Sequence, residues 1–414
     1  MKAFENCCLG DVLSLKNGYA FKSSTYLDKG IPVIRISDIN NGYVTIEDAV
    51  RVEKMPLGFE FLVSKGDILI AMSGATTGKF GLYEKDEIVY QNQRVGNLKI
   101  FSDKLCNKKF IYYSLFSKRR NIEKAAYGGA QPNISGEKIE NIRINIFPFA
   151  EQNQIVAIIE ELISDLDNAM ENFKKAQEQL KVYRRAVLSW AFGGKATSDL
   201  ENWRQTTLGE IISISSGDGL TKAKRNDEGQ YLVYGGNGIT GNHSEYLFEQ
   251  EKLIIGRVGA HCGNAHITKP YSWVTDNAFV VTFDEKLFDI NYLHYLIISL
   301  NLNKYSSSTA QPVISQGKVY PIQVIVPIKK EDQQSIVSEI ASRLSICDKT
   351  EELIIENLQR AEALRQSILK QAFEGKLTEK WRRDHKELIF GENSAEKLLE
   401  RIKEAKENLK GRKK

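Results

Sequence analysis

No stretch of this chain approaches the roughly 18 consecutive apolar residues that a membrane-spanning helix requires. The opening MKAFENCCLG also lacks the apolar core of a signal peptide, so a soluble, cytoplasmic protein is expected. Cysteine is scarce. Cys7, Cys8, Cys106, Cys262 and Cys347 are odd in number and irregularly spaced, which implies no disulfide framework. No CxxC pair occurs, and a zinc cluster would need one or something similar. His261-Cys262-Gly263-Asn264-Ala265-His266 does gather three potential ligands. A turn that happens to hold them is the expectation, and no metal is assigned. Charge of one sign is also lacking, since the net value is only +4 over 414 residues. Lys376–Lys414 alone holds 13 Lys/Arg against 8 Asp/Glu, so the rest of the chain is close to neutral. Any nucleic-acid binding must therefore rest on locally clustered cations and not on a basic domain.

What the chain does contain is itself, written twice. Leu9-Gly10-Asp11-Val12-Leu13-Ser14-Leu15 recurs as Leu208-Gly209-Glu210-Ile211-Ile212-Ser213-Ile214. Asp67–Ala75 (DILIAMSGA) is echoed by Lys252–Ala260 (KLIIGRVGA), and Ala130-Gln131-Pro132-Asn133-Ile134-Ser135 by Ala310-Gln311-Pro312-Val313-Ile314-Ser315. Ala191-Phe192-Gly193-Gly194-Lys195 matches Ala372-Phe373-Glu374-Gly375-Lys376. The offset drifts from 199 through 185 to 181, as a few loop-length changes would produce.

Each copy has two unlike halves. Residues 1–150 and 196–330 carry short strand-like runs (Ile31–Ile36, Asp67–Met72, Leu253–Arg257, Phe279–Phe283) broken by Gly and Asn turns, with one helical stretch each, near Lys108–Lys118 and Ile290–Leu300. That mixture predicts an α+β globule. Residues 151–195 and 331–376 read as long helices. In the first, Ile155, Ile159, Leu162, Leu166, Ala169, Phe173, Ala176, Leu180, Tyr183 and Val187 form a heptad seam, with no Pro or Gly between Phe149 and Phe192. The second carries Ile336, Ile340, Leu344, Cys347, Ile354, Leu358, Ala361, Leu364 and Ile368, less regularly. An isolated amphipathic helix is marginal, and the simplest partner is the other copy. The expected fold is therefore two similar mixed α/β globules joined by two long helices in an antiparallel coiled coil, a pseudo-two-fold repeat. Residues 377–414 form a basic tail with no counterpart after residue 195; partner docking, contact with DNA backbone or a solvated charged helix all fit it.

The search for catalytic chemistry is largely negative. Ser73-Gly74-Ala75-Thr76-Thr77-Gly78-Lys79 misses the phosphate-loop pattern in its glycine spacing and in Phe80 after the Lys, and its counterpart Gly259–Asn264 has no Lys. There is no GxSxG, HExxH, kinase signature or post-strand GxGxxG. Of His243, His261, His266, His294 and His385, four lie in the second copy, where a repeat-based active site would not confine its base. No catalytic residue is assigned. Groups able to read base edges or neutralise phosphates do cluster in turns. In the first globule these are Ser73, Thr76, Thr77 and Lys79, then Asn92, Gln93 and Arg94. In the second they are Lys222, Lys224, Arg225, Asn237, His243, Arg257, His261, Asn264 and Asn277. Ordinary solvated loops would show the same residue types. The two Gln-Pro segments read as turns with Pro at the corner, the alternative being that they hold Gln131 and Gln311 toward a ligand.

Taken together, the duplicated globule-plus-helix plan, the paired Gln-Pro-x-Ile-Ser and Ala-Phe-x-Gly-Lys segments, Ile254–Gly259 and Thr275–Val280 resemble the DNA-specificity subunit of type I restriction-modification systems, over about residues 5–380. The resemblance implies two target-recognition domains that bind a bipartite, asymmetric DNA sequence, one half-site each, with the helices setting the gap. It implies a non-catalytic chain that recruits two methyltransferase (modification) subunits and, in the full complex, two restriction subunits. S-adenosylmethionine, ATP and Mg would act on those partners, and the helical regions would carry much of the modification-subunit contact. Met72-Ser73-Gly74 departs from the second copy's Arg257-Val258-Gly259, so at this turn the family's pattern is matched by the second domain. A competing expectation is a structural adaptor, two globules on a strut without a DNA role; a nuclease with a cryptic site ranks third.

Overall fold

The computed structural model describes residues 4–40, 42–127, 132–195, 202–221, 226, 228–307 and 312–411. The chain divides into two compact units, Met1–Glu171 with Leu358–Lys414, and Asn172–Asn357.

The first unit is built on a five-stranded sheet in the order Leu13–Asn17, Val95–Ile100, Ile68–Ala71, Phe80–Leu82, Gly42–Tyr43, antiparallel except for the last pair. The central strand Ile68–Ala71 is buried at every position, which explains its unbroken apolar run. A smaller sheet orders Arg51–Val52, Ile31–Ile34, Val89–Gln91 and Leu62–Val63. The helix Lys108–Ser117 starts where the Asn107 side chain accepts from the Lys109 and Phe110 amides, an N-cap in the ordinary sense. It buries Phe110, Ile111 and Leu115 in the core.

The second unit repeats this plan with fewer strands: Ser213–Ser216, Ala278–Thr282, Leu253–Gly256 and Ala265–Ile267 form one antiparallel sheet. Gly238–His243, Tyr231–Gly235 and Ser272–Val274 form another. Its helix Ile290–Leu300 is capped by Asp289 in the same manner. Even the link from helix cap to long helix is duplicated. Fully buried Gln152 accepts from the Asn107 amide (2.9 Å) and donates to the Phe147 carbonyl (2.8 Å). Gln333, equally buried, accepts from the Asp289 amide (3.0 Å) and donates to the Leu287 carbonyl (3.0 Å).

The long helices run Phe149–Trp190 and Lys330–Phe373. Within the first unit they are antiparallel, since Glu151 meets Thr378 and Arg382 just past the end of the second helix, while Asp167 pairs with Arg365 further back. The second unit shows the same sense: Arg184 pairs with Asp348 (2.7 Å) and Glu351 (2.9 Å), and the Arg343 guanidinium lies 4.5 Å from the Trp190 ring centroid. Arg184 with Asp348 and Arg365 with Asp167 are one pair repeated, once in each unit.

Two expectations need correction. Leu162, Ala169, Tyr183 and Leu364 of the expected seams are exposed, and Ile163, Arg184, Leu188 and Arg365 turn inward in their place. A strict 3.5-residue repeat drifts against a straight helix of 3.6, and each helix end must also fit a globular domain. Nor is the tail a solvated helix. Ala395–Gly411 buries Leu398 and Ile402 among Leu9, Val12 and Leu13 of the first unit, and Lys406 donates to the Gly10 carbonyl (2.6 Å) while lying 5.3 Å from the Phe101 ring centroid.

Candidate nucleic-acid interface

Each unit carries a tight turn after its central buried strand, and the two turns share one hydrogen-bonded frame. In the first, the Gly74 amide donates to the Pro132 carbonyl (3.2 Å), Ile134 to Met72 (3.0 Å), Met72 to Arg94 (3.0 Å) and Gly78 to Ala71 (2.9 Å). In the second, Gly259 donates to Pro312 (2.9 Å), Ile314 to Arg257 (2.9 Å), Arg257 to Asn277 (2.9 Å) and Gly263 to Gly256 (2.7 Å). Gly74 and Gly78 have φ of 87° and 85°, and Gly259 and Gly263 have 88° and 89°, a left-handed backbone that side chains resist. Close approach fixes a third point. A Cβ on Gly18 would lie 2.2 Å from the Asn92 carbonyl oxygen, and one on Gly217 would lie 2.4 Å from that of Thr275.

The frame explains the recurrent Pro-x-Ile-Ser segments as the strand-like strap over each turn, with bridges Ser73 to Asn133 and Val258 to Val313. Gln131 and Gln311 lie outside the described residues. The frame also sets the side chains in register: Met72 matches Arg257, Thr76 His261, Thr77 Cys262, Lys79 Asn264, and Arg94 Asn277.

In the first unit, Gln93 and Arg94 are exposed at the strand connection, and Lys79 is half-buried on the turn. Asn92 is half-buried and accepts from the Arg94 amide (3.3 Å). Ser73 belongs to the strap bridge. Thr76 donates its hydroxyl to the Ile36 carbonyl (3.1 Å). Thr77 is a correction. It is buried, and its hydroxyl faces the Gly74 and Pro132 carbonyls at 2.6 and 3.0 Å, so it holds the turn together and presents nothing to a ligand.

In the second unit, Arg257, His261, Asn264 and Asn277 surround one turn. Exposed Asn237 joins them, because a Cβ on neighbouring Gly236 would lie 2.9 Å from the Asn277 carbonyl oxygen. Arg257 stacks 5.4 Å from the Phe279 ring centroid and donates to the Ser216 hydroxyl (3.3 Å), which fixes its guanidinium plane. His243 is not brought to this site. It sits five residues from Gly238 along its strand, roughly 16 Å at the ordinary rise, with its ring edge-on to Trp273 at 5.1 Å. Lys222, Lys224 and Arg225 lie outside the described residues.

Lys79, Arg94 and Arg257 form no ion pair with described residues, so their charges are available to an anion. Burial depresses the pKa values of His266 and His294, which pack inside the second unit and not on the turn. Among the described residues, no group of three or more His, Cys, Asp or Glu could hold a metal ion, and no helix is long and apolar enough to cross a membrane. Sequence reasoning missed Tyr127, which is 53% exposed and donates its hydroxyl to the Ala75 carbonyl (2.9 Å) at the first turn. Its place directly before Gly128-Gly129 was the available signal. It also missed Asn303, whose amide braces the second turn through the Ala260 (3.3 Å) and Cys262 (3.1 Å) carbonyls.

Residues 1–179 and 200–363 match the family model for the type I restriction modification DNA specificity domain, one match for each copy of the repeat. The chain belongs to this family. Among its relatives, the StySPI specificity subunit of Salmonella potsdam is 27% identical over 95% of this chain and 93% of its own length. The EcoBI specificity subunit of Escherichia coli is 25% identical over 95% and 90%. The fold agrees as well: a chain from a structure of type I R-M complex assembly and conformational transition matches with a TM-score of 0.73, at 17% identity, over 91% of this chain and 99% of that one. The HsdS subunit of Thermoanaerobacter tengcongensis matches at 0.56, also with 17% identity, over 91% and 98%.

Proposed function

We propose that this chain is the sequence-specific DNA-binding subunit of a type I restriction-modification complex, each domain reading one half of a bipartite, asymmetric target. The observation that carries the reading is the single backbone frame used twice with different side chains. Lys79 and Arg94 furnish two cations at the first turn, whereas the second has one, Arg257, with the His261 imidazole in the place of Thr76. Equivalent positions with unequal chemistry are what two unlike half-sites demand. Backbone phosphates would be met by the free cations, and base edges by the paired donors and acceptors of Asn264, Asn277 and Gln93 and by the donor fork of Arg94.

The chain supplies no catalytic centre in this reading. Methyl transfer with S-adenosylmethionine, and ATP hydrolysis with Mg, belong to two modification and two restriction subunits in the cytoplasm. The long helices leave Val182, Tyr183, Ile346, Leu353 and Ile355 exposed in the second unit, apolar surface suited to the modification subunits. A structural adaptor without a DNA role would have no use for a duplicated turn lined by unpaired cations.

Mapping methyladenine in the source cell with and without the gene gives the target: one bipartite motif should lose its methylation. With that duplex in hand, Arg94→Ala and Arg257→Ala in the purified methyltransferase complex should each weaken binding by roughly 5- to 150-fold. Each should relax discrimination in a different half-site. Affinity should also fall steeply with salt. An unchanged map together with salt-independent or absent DNA binding would return the adaptor reading.

A further inference from the structure

The three-stranded sheet of the second unit ends, away from the recognition turn, in a cluster of tyrosines. Tyr231 and Tyr246 lie 5.0 Å apart, Tyr246 and Tyr271 5.2 Å, both edge to face, and Tyr231 and Tyr271 6.5 Å. Tyr246 and Tyr271 remain 37% and 51% exposed, and Leu247 beside them 37%. Isolated apolar residues on a surface are ordinary, but a contiguous aromatic patch marks an interaction site, and tyrosine is enriched in protein interfaces. Tyr271 also holds φ at 55°, where Gly or Asn would be relaxed.

The surroundings select the occupant. A groove of about 460 Å³ opens beside the patch, lined by Glu249, Glu251, Pro270, Glu285 and Lys330 among others. None of these three glutamates pairs with a cation among the described residues, and the Lys330 ammonium donates to the Glu285 carbonyl (2.6 Å). Lys252 lies 6.0 Å from the Phe248 ring centroid and Lys269 is exposed at the turn, and neither pairs with one of these carboxylates. Nucleic acid would meet like charge here. A guanidinium would find an aromatic face and a carboxylate within one surface, the two contacts it makes best. We propose that this patch and groove dock an arginine-bearing segment of a partner protein, its guanidinium stacked on Tyr271 and paired with Glu249. The proposal is independent of how the chain reads DNA.

Labelled hexa-arginine and hexa-lysine peptides, titrated at low salt against the full chain by fluorescence anisotropy, test it. Hexa-arginine should bind roughly fivefold tighter than hexa-lysine, the contribution of one stacked cation. Tyr271→Asn should remove that preference while leaving Tm unchanged or higher, since Asn tolerates the left-handed backbone. Glu249→Gln with Glu251→Gln, both at exposed positions, should weaken both peptides. Equal affinity for the two peptides, or a preference that survives Tyr271→Asn, would overturn the assignment. Specific-duplex binding measured on the same variants should match the wild type; its loss in Tyr271→Asn would give the patch to nucleic acid instead.

Discussion

Arg382→Ala should loosen the first unit more than any surface substitution of comparable size. Glu151 is fully buried in the first turn of the first long helix, where the helix dipole favours a carboxylate. Its Oε1 accepts from Arg382 Nε (3.0 Å), Arg382 Nη2 (2.8 Å) and Thr378 Oγ1 (2.6 Å). Arg382 also donates to the Gly375 carbonyl (2.6 Å), so one side chain closes the turn that launches the tail. Removing it leaves an uncompensated charge inside the protein, which costs about 3–5 kcal/mol. The Arg382 side chain is 19% exposed, which places the expectation at the lower end, about 3 kcal/mol. A domain of this size shifts by about 2–4 °C per kcal/mol, so calorimetry should find the first-unit transition ~6–12 °C lower. Limited proteolysis should then cut the tail between residues 377 and 394 well before the rest of the chain. Glu151→Gln combined with Arg382→Ala should recover much of the loss, because no charge remains to strand. A single mutant whose transition moves by less than ~2 °C, with the tail still protected, would refute the idea that this buried pair anchors it.

Gly217→Ala would drive a methyl into the Thr275 carbonyl, destabilising the second unit by about 2–3 kcal/mol; chemical denaturation measures it, and Gly219→Ala, which has open space, should be silent. Burial depresses the pKa values of His266 and His294, so both are held neutral in the fold. Stability should be full above about pH 6.5 and fall as pH drops through the depressed values, because the unfolded chain binds the extra protons first. His294→Gln should flatten that slope in a Tm series from pH 7.5 to 5, and an unaltered slope would count against the assignment. Burial pushes the Cys7 thiol up to about 12 and raises Cys106 as well, while Cys262 and Cys347 are also buried. Ellman's reagent at pH 8 should therefore find one reactive thiol in the native chain, half-buried Cys8, and five in denaturant.

Much of this architecture was legible from residues alone because it is local or duplicated. The apolar run around Ile68–Ala71, the helical stretches near Lys108–Lys118 and Ile290–Leu300 and the unbroken helix before Trp190 each declare themselves within one stretch of chain. What escaped depends on distant pairings. Thr77 looks like a displayed hydroxyl until Pro132 closes over it from 55 residues away. His243 shares a domain with Arg257 but lies at the other end of a strand, which composition does not encode. Nothing in the tail itself says where Leu398 and Ile402 pack, because their partners lie near the opposite end of the chain.

That last pairing bears on biosynthesis. The second unit is one continuous segment, Asn172–Asn357, whereas the first needs Leu9 and Val12 to meet Leu398 and Ile402. At ~5–20 residues per second, a nascent chain exposes that N-terminal apolar face for about 20–80 s before its cover emerges from the ribosome. The domain made first is thus the last to be finished. A ribosome that stalls late would release a product with one completed reading head and one left open to chaperones and proteases, so partially synthesised subunits would be cleared before they could enter a complex.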